Sequence, residues 1–523
     1  MHTTDRSPGK AVYTPTTSDR AWLRTVQARL YARSWEQPGY IFRELWGYMT
    51  DPRNLRIALG RVSLNRGRRS AGVDGHTLGT LLKRNDVDSL LSSMRRTLRD
   101  RSYKPSPVRQ LRIPKPGKTG QYRNLGIPTV SDRIVQAALK QILEPIFEAD
   151  FFPCSYGFRP GRSAHGALEH ARLLLQPRGA ARTSTEPINP PYQAVIESDI
   201  KGCFDHISHH GLMKRIRKRC QDRKLNRLLL AFLQAGTMSD TGFIPSLEGT
   251  PQGGILSPLL SNIALQDIEA RYVDTVWPRT SETIALTAPQ IKHRAARERA
   301  KARRNGRAVY FPIRYADDSL ILVSAPQGDD QEARALKLAH MEKTALKAAL
   351  HAELTLELSE TKTLVTKVTE PIRFLGHNLM VRPIAHQQRW VAAIVIPADK
   401  THRLREEIKR LFKRCTTHYA LANRLYKLNM LLRGWGSYYR HATGAHRVFC
   451  SIDQYVWHTI ARWLQKKHAP QVSWTALLRR YGYKADPRQK HTEWRDGTTL
   501  QYRLSRMSVR SYRLAWMKPP RFV

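Results

Sequence analysis

Apolar residues recur at helical spacing from Trp22 onward: Leu23, Val26 and Leu30, then Ile41, Leu45 and Met49, then Leu55, Leu59 and Val62. Steps of three and four keep each set on one face, so this segment predicts a run of amphipathic helices. Ile134, Ala138, Ile142 and Ile146, flanked by Val135, Leu139 and Leu143, predict another helix packed inward. Near residue 316 the period shortens to two. Phe311 to Ile313 precede Tyr315-Ala316-Asp317-Asp318, and Leu320 to Val323 follow it. This predicts two strands joined by a tight turn with the aspartates at its tip. Ala194-Val195-Ile196 predicts a short strand delivering Asp199 to its C-terminal end, after which Asp199 to Asp205 turns into a helix. Ser257-Pro258 has the N-cap and first-turn chemistry of a helix start. Residues 332 to 351 predict an amphipathic helix, and Leu354 to Leu358 a strand leading to Lys362. Beyond Pro397, Leu404, Ile408 and Leu411, then Leu421, Leu425, Leu428 and Leu432, return to helical spacing. Their polar faces carry Arg and Lys, which reads as a separate basic helical domain.

The polar stretches between these elements carry most of the positive charge. Residues 1 to 18, rich in Thr, Ser and Pro, read as a disordered tail. Asn65 to Gly75 is a Gly-rich loop whose amides, with Arg66, Arg68 and Arg69, could hold phosphates, although a plain surface loop fits equally. Lys104 to Arg123 is basic and broken by prolines, and Ser155 to Gly161 is a basic, turn-rich segment. Residues 176 to 191 form a proline-rich loop, and Gly249 to Gly254 a flexible one. Between about 280 and 308 lies a strongly basic insertion that includes Arg297, Arg299, Arg303 and Arg304. Such a run is usually a solvated helix face; the charge of the whole chain favours a nucleic-acid contact. Arg433 to Arg440 interleaves Trp435, Tyr438 and Tyr439 with arginine, which suits stacking on bases, or a tryptophan-centred helix junction.

The 523 residues allow about three domains. With 41% apolar residues the chain can bury real cores. Against 43 Asp and Glu stand 88 Lys and Arg, a net charge of +45 spread along the whole length. Charge so distributed points to a large polyanion, nucleic acid first. Five scattered cysteines without a C-x-x-C pair indicate a reducing, cytoplasmic setting and no zinc module. No apolar run approaches the roughly 18–20 residues of a membrane span, so no membrane partner is expected. The first residues lack a secretory pattern.

Asp317 and Asp318, adjacent at a turn, repel each other unless a cation sits between them. Taken alone, the pair also fits a solvated turn. With Asp199 at the end of another strand, three carboxylates could converge on two hard divalent cations, Mg²⁺ above all, as phosphoryl transfer requires.

The order of these segments closely resembles that of a group II intron-encoded reverse transcriptase, or maturase, over about residues 19 to 470. The resemblance rests on Asn65 to Gly75, Arg123 to Pro128, Tyr156 to Pro160, Asp199 to Asp205, Pro251 to Gly254, and Tyr315 to Asp318. Thr361 to Thr363, Phe374 to Gly376 and Gly434 to Tyr439 complete it. It implies an α+β right-hand polymerase: a helical extension at 19–80, then fingers and a palm with an antiparallel sheet at 81–385. A helical thumb or maturase domain at 397–475 and a basic, DNA-binding-like tail at 476–523 would follow. It further implies an RNA-directed DNA polymerase that binds its intron RNA, assists splicing and copies RNA into cDNA for mobility.

By the same resemblance, Asp199 and Asp317 would be ligands of two Mg²⁺ ions, Asp318 a weaker one, and Ile200 would offer its backbone carbonyl. Phe204 would be the steric gate against a 2′-hydroxyl. Lys115 and Arg123 would pair with the incoming triphosphate, Gln252 would line the nucleotide pocket, and Lys362 would protonate the leaving pyrophosphate. The implied partners are intron RNA, a DNA target or primer, and deoxynucleoside triphosphates, in a bacterial, nucleoid-associated setting; a homodimer is left open. Many relatives continue into a cysteine-containing endonuclease. The residues after Pro470 are basic and lack cysteine, so the expectation is a form without it that primes on existing nicks or nascent strands. Two other readings are a splicing-only RNA-binding cofactor, which the intact Asp199, Asp317 and Asp318 argue against, and a domesticated reverse transcriptase in defence or repair.

Overall fold

The computed structural model describes residues 13–84, 86–114, 120–177, 190–276, 288–384, 389–468, 472–486, 492–514 and 522. They fall into two compact units, one built from 1–167, 193–365 and 515–523, the other from 168–192 and 366–514. No helix among the described residues is long and apolar enough to cross a membrane.

In the first unit the Val130–Glu148 helix is buried on nearly every side, its polar residues Asp132, Arg133, Gln136, Gln141, Glu144 and Glu148 included. Thr129 caps it by accepting from Asp132 N. Pro145 lies inside this helix and has no N–H to give Gln141 O. The side-chain amide of Gln27 fills that gap, its Nε2 donating to Gln141 O at 2.8 Å. Ser34 likewise donates to Ile146 O at 2.8 Å, satisfying a carbonyl of the last turn. Both residues stand on the Thr17–Glu36 helix, whose Thr16–Asp19 capping box also holds Arg56 of the Pro52–Leu64 helix. The apolar period from Trp22 to Val62 thus becomes three helices, Thr17–Glu36, Trp46–Met49 and Pro52–Leu64, with the two longer ones packed on the buried one.

The strands of this unit are, in chain order, β1 (Val108–Pro114), β2 (Tyr122–Ile127), β3 (Ala194–Asp199), β4 (Thr237–Ser239), β5 (Gly242–Ile244), β6 (Val309–Tyr315), β7 (Asp318–Ser324) and β8 (Leu364–Lys367). They make two sheets, ordered β2-β1-β4-β5 and β6-β7-β3-β8. In the second sheet β3, β6 and β7 run antiparallel, with β7 between the other two. The Gln331–Leu354 helix packs against β3 and β7. The paired strands β1 and β2 both begin within the basic stretch after Lys104, whose prolines mask the strand pattern.

Two local expectations fail for identifiable reasons. Leu354 to Leu358 is no strand: Thr355 adopts a left-handed φ of 59° and terminates the helix, leaving one isolated bridge between Leu358 and Ile200. Ser257 does not cap its helix, because its hydroxyl donates to Pro251 O at 2.8 Å.

The second unit contains an antiparallel sheet of β9 (Ile372–Phe374), β10 (His377–Ile384) and β11 (Arg389–Val395). Among the described residues four α-helices follow: Ala398–Leu411, Leu421–Tyr439, Ala445–His468 and Trp474–Tyr481. Within this unit β11 is bonded to the segment before the Ala445–His468 helix: Ile394 exchanges hydrogen bonds with Thr443. Residues 492–514 pack on the helices of this unit. Trp494 is fully buried and donates to Trp457 O at 3.2 Å, and Asp453 accepts from Leu504 N and Ser505 N.

Candidate active site

The β6–β7 hairpin turns in two residues. Ala316 takes a φ of 59°, a conformation that two-residue hairpins demand and alanine rarely adopts. Register then decides the chemistry. Asp318 lies opposite Tyr315 on one side and opposite Asp199 on the other, which with Asp317 in the turn puts three acidic residues at the same end of the sheet. Burial, the dominant cause, and the nearby charge of Asp199 hold the Asp317 carboxyl above its usual range, with Lys362 and Arg123 working against them. Asp318 is open at its rim, yet burial and the charges of Asp317 and Asp199 push it up to about 6. Lys362 Nζ lies 2.6 Å from Asp199 Oδ2. After Asp199 the chain crosses to the Leu358 bridge, where Lys201 N donates to Glu357 O and Asp199 O accepts from Ser359 N. In an antiparallel bridge of this type the carbonyl of Ile200 points away from that neighbour.

A buried polar network fixes the turn. Arg314 has no solvent exposure and pairs with the equally buried Glu269 at 2.7 Å. Its other nitrogens reach Asn262 Oδ1, Ser155 Oγ and, within the turn, Ala316 O at 3.1 Å. Asn262 also donates to Gly157 O at 2.8 Å. Gly157 lies so close that an added Cβ would stand 2.2 Å from Ala316 N. Sequence reading missed this network. Arginine reads as a surface residue, and the only hint was a charged residue inside an otherwise apolar strand.

The residues expected around a nucleotide lie on four segments. Phe204, partly exposed, sits on a one-turn helix after Gly202, its ring edge-on to Phe158 at 6.3 Å. Gln252 accepts from Gly126 N at 2.6 Å through its backbone and reaches Asp205 Oδ2 at 3.5 Å. Arg123 is an exposed residue of β2 whose charge is felt at Asp317. Lys362 is at Asp199. Lys115 lies outside the described residues.

The arginines and aromatics expected at RNA divide into outward and inward sets. Arg66 and Arg69 are exposed on a short 3-10 turn, while Arg68 donates to Ser63 O; Arg133 braces the loop through Gly67 O and Ser70 O. On the Ala288–Arg304 helix, Arg297 and Arg304 face solvent. Arg299 and Arg303 instead turn inward, to Thr275 O with the Phe311 ring and to Ser324 Oγ respectively. Arg433 is exposed beside the Tyr502 ring. Tyr439 is not a stacking platform: it is buried, packed on Trp435, and donates to Gly376 O. Tyr438 donates to Leu375 O at 2.8 Å, and Trp435 also neighbours Phe449. Helix spacing turns the two tyrosines toward the β9–β10 turn and Trp435 toward the Ala445–His468 helix, so the junction reading describes them better.

The profile of the reverse transcriptase (RNA-dependent DNA polymerase) family matches residues 113–379, and that of the group II intron maturase-specific domain matches 401–482. The chain belongs to the group II intron-encoded reverse transcriptases. It is 32% identical over 387 residues to the group II intron-encoded protein LtrA of Lactococcus lactis subsp. cremoris, covering 68% of this chain and 60% of that relative. It is 32% identical over 382 residues to Protein YkfC of Escherichia coli K12, covering 72% of this chain and 93% of the relative. A putative COX1/OXI3 intron 1 protein of Saccharomyces cerevisiae is 29% identical over 353 residues, 63% of this chain and 38% of its own. The chain therefore spans about 60% of the length of the Lactococcus relative.

Reverse transcriptases of this family generally use divalent metal ions. Among the described residues, no three Asp, Glu, His or Cys side chains are already gathered in metal-holding geometry. The donor set nevertheless fits such an ion. It offers hard carboxylate oxygens from three residues, and Asp317 and Asp318 are raised first by burial and then by neighbouring carboxylate charge, the part a cation would offset. The ammonium of Lys362 already stands against Asp199.

Proposed function

We propose that the chain is an RNA-directed DNA polymerase that binds its intron RNA, assists splicing and copies RNA into cDNA for intron mobility. One observation carries this reading: Asp199 and Asp318 are paired in register with Asp317 beside them in the turn. Asp199, Asp317 and Asp318, with the outward carbonyl of Ile200, would hold two Mg²⁺ ions. Bound there, the ions would activate the primer 3′-hydroxyl and neutralise charge on the departing pyrophosphate. Within the same reading, the β6-β7-β3 sheet is the palm, the β1–β2 hairpin belongs to the fingers and the helices after Ala398 form the thumb.

The chain's own side chains do the remaining work. Arg123 presents a planar fork to the incoming triphosphate, a geometry that a point charge cannot reproduce. Gln252, fixed through its backbone to Gly126 N, lines the pocket floor. Phe204 stands where a 2′-hydroxyl would collide, which selects deoxynucleotides. Lys362 exchanges Asp199 for the pyrophosphate. The partners are structured intron RNA, a DNA primer or target, and deoxynucleoside triphosphates. The exposed Arg66, Arg69, Arg297 and Arg304 supply phosphate contacts for the RNA.

The test is Asp317→Ala with Asp318→Ala, read in paired assays of primer extension and intron splicing at low Mg²⁺. Extension should fall by several orders of magnitude, since a two-ion site has no substitute for a lost ligand. RNA affinity should hold or rise slightly, because two negative charges are gone. Extension that survives the double substitution sinks the polymerase reading. A folded double variant that loses splicing as well sinks the division between catalytic and RNA-binding surfaces.

A further inference from the structure

Phe158 is a bulky apolar residue in a place built for glycine. Its φ is 59°, a left-handed conformation that crowds Cβ against the backbone, and its ring is 48% exposed. Glycine or asparagine would fit this backbone with less strain and no exposed ring. The conformation is imposed from both sides. Gly157 is pressed against the Ala316 turn and held by Asn262. Arg159 is buried in an ion pair with Glu148 at 2.7 Å, with further bonds to Phe152 O and Ser155 O. Between two fixed neighbours, Phe158 can only project outward. Its ring meets Phe204 edge-on, with centroids 6.3 Å apart and planes at 71°.

Phe204 needs such a neighbour. It sits on a four-residue helix directly after the left-handed Gly202, too short a helix to hold a ring by itself. Its backbone is anchored, with Thr250 N donating to Phe204 O at 2.6 Å, but its side chain stands partly in solvent. A gate works only if its ring keeps its position when a larger sugar pushes on it. A second aromatic ring set against it in a T-shaped pair resists that rotation.

We propose that Phe158 is a positioning residue for sugar discrimination. It buttresses Phe204 and ties the gate to the turn bearing Asp317 and Asp318, so that gate and carboxylates share one rigid support. The strained backbone is the device that aims the ring. This rests on the reading of Phe204 as the gate, and the test keeps the two apart.

The decisive variant is Phe158→Gly, because glycine accepts the left-handed backbone and leaves folding intact. Steady-state kcat/KM for a deoxynucleotide and its ribonucleotide would be measured on one template for the parent, F158G, F158Y, F204A and F158G/F204A. For F158G, ribonucleotide kcat/KM should rise about two- to tenfold, the range an edge-to-face aromatic pair is worth, with deoxynucleotide kcat/KM nearly unchanged. F158Y keeps a ring and should keep discrimination. In the F204A background, F158G should add nothing, because the ring it supports has gone. If F204A relaxes discrimination while F158G does not, the buttress is wrong and the gate stands. If F204A leaves discrimination unchanged, the gate reading falls and takes the buttress with it. Equal effects of F158G on both nucleotides would mark a purely structural role and overturn the proposal.

Discussion

Arg314 and Glu269 form an ion pair at 2.7 Å that no solvent reaches, and the same guanidinium holds the carbonyl of Ala316 in the aspartate turn. A buried pair like this contributes little net stability over apolar groups of the same shape, because both ions lose their hydration. Its significance is positional. The left-handed Ala316 is strained, and the network supplies the bonds that hold it.

Removing one partner should therefore be severe. Arg314→Ala or Glu269→Ala strands a buried charge and should destabilise the protein by roughly 3–5 kcal/mol. Asn262→Ala removes one neutral bond and one from the Arg314 guanidinium, and should cost about 1–3 kcal/mol. It leaves the ion pair in place but frees Gly157 O and one contact of Arg314, so the turn should loosen while the protein stays folded. The expected kinetic result is a lower kcat for extension at nearly constant nucleotide KM. Denaturant unfolding with steady-state extension checks both. A loss confined to stability would deny the network any role at the turn.

Lys362 is more than half exposed and Asp199 is not, so their pair should add less than about 1 kcal/mol to stability. Lys362→Met should then unfold at nearly the parental denaturant concentration. Its turnover should drop roughly 10²–10³-fold if the ammonium stabilises charge on the departing pyrophosphate. The Mg²⁺ concentration for half-maximal rate should not rise, because the substitution removes a competitor for Asp199. A raised Mg²⁺ requirement with unchanged turnover at saturation would show that Lys362 serves only to arrange Asp199.

What could be read in advance follows from the range of each interaction. The hairpin with Asp317 and Asp318, and the strand ending at Asp199, announce themselves through local period and neighbouring residue type. Their pairing in register is a non-local fact, yet order along the chain and the resemblance were enough to suggest it. The Arg314 network was out of reach, because Ser155, Asn262 and Glu269 come from separate segments and none is unusual in its own context. Tyr439 and Arg299 misled for a related reason: an aromatic or a basic residue declares its chemistry but not its direction. Only the helix turn that aims Tyr439 at Gly376, and Arg299 at Thr275, settles which face it serves.

Pro145 and Gln27 should be coupled. Gln27→Leu leaves Gln141 O unbonded in the core and should cost about 1–3 kcal/mol. Pro145→Ala restores an N–H one helical turn from that carbonyl. In the double variant the backbone should reclaim part of the lost bond, so the two effects should fall short of additive in the stabilising direction. A double-mutant cycle on denaturant midpoints measures this. Strict additivity would mean that the Gln27 amide does not stand in for the missing backbone donor.

The basic Ala288–Arg304 helix should separate into two functions along its faces. Arg297 and Arg304 reach solvent, and if they touch RNA each contact displaces counterions, adding about 0.9 to the logarithmic salt slope on a duplex. Arg297→Gln with Arg304→Gln should weaken intron binding and splicing and flatten that slope, while unfolding and short-primer extension persist. Arg299 and Arg303 point the other way, to Thr275 O and to Ser324 Oγ at the end of β7. Arg299→Ala with Arg303→Ala should loosen the helix from β6 and β7, lower stability and reduce extension. It should change the salt slope little, since guanidiniums engaged with Thr275 O and Ser324 Oγ are turned away from phosphate. Filter binding across a salt series, with denaturant unfolding and extension on both pairs, distinguishes them. If both pairs flattened the slope equally and left unfolding alone, all four arginines would belong to the RNA surface, and the inward contacts of Arg299 and Arg303 would not persist in solution.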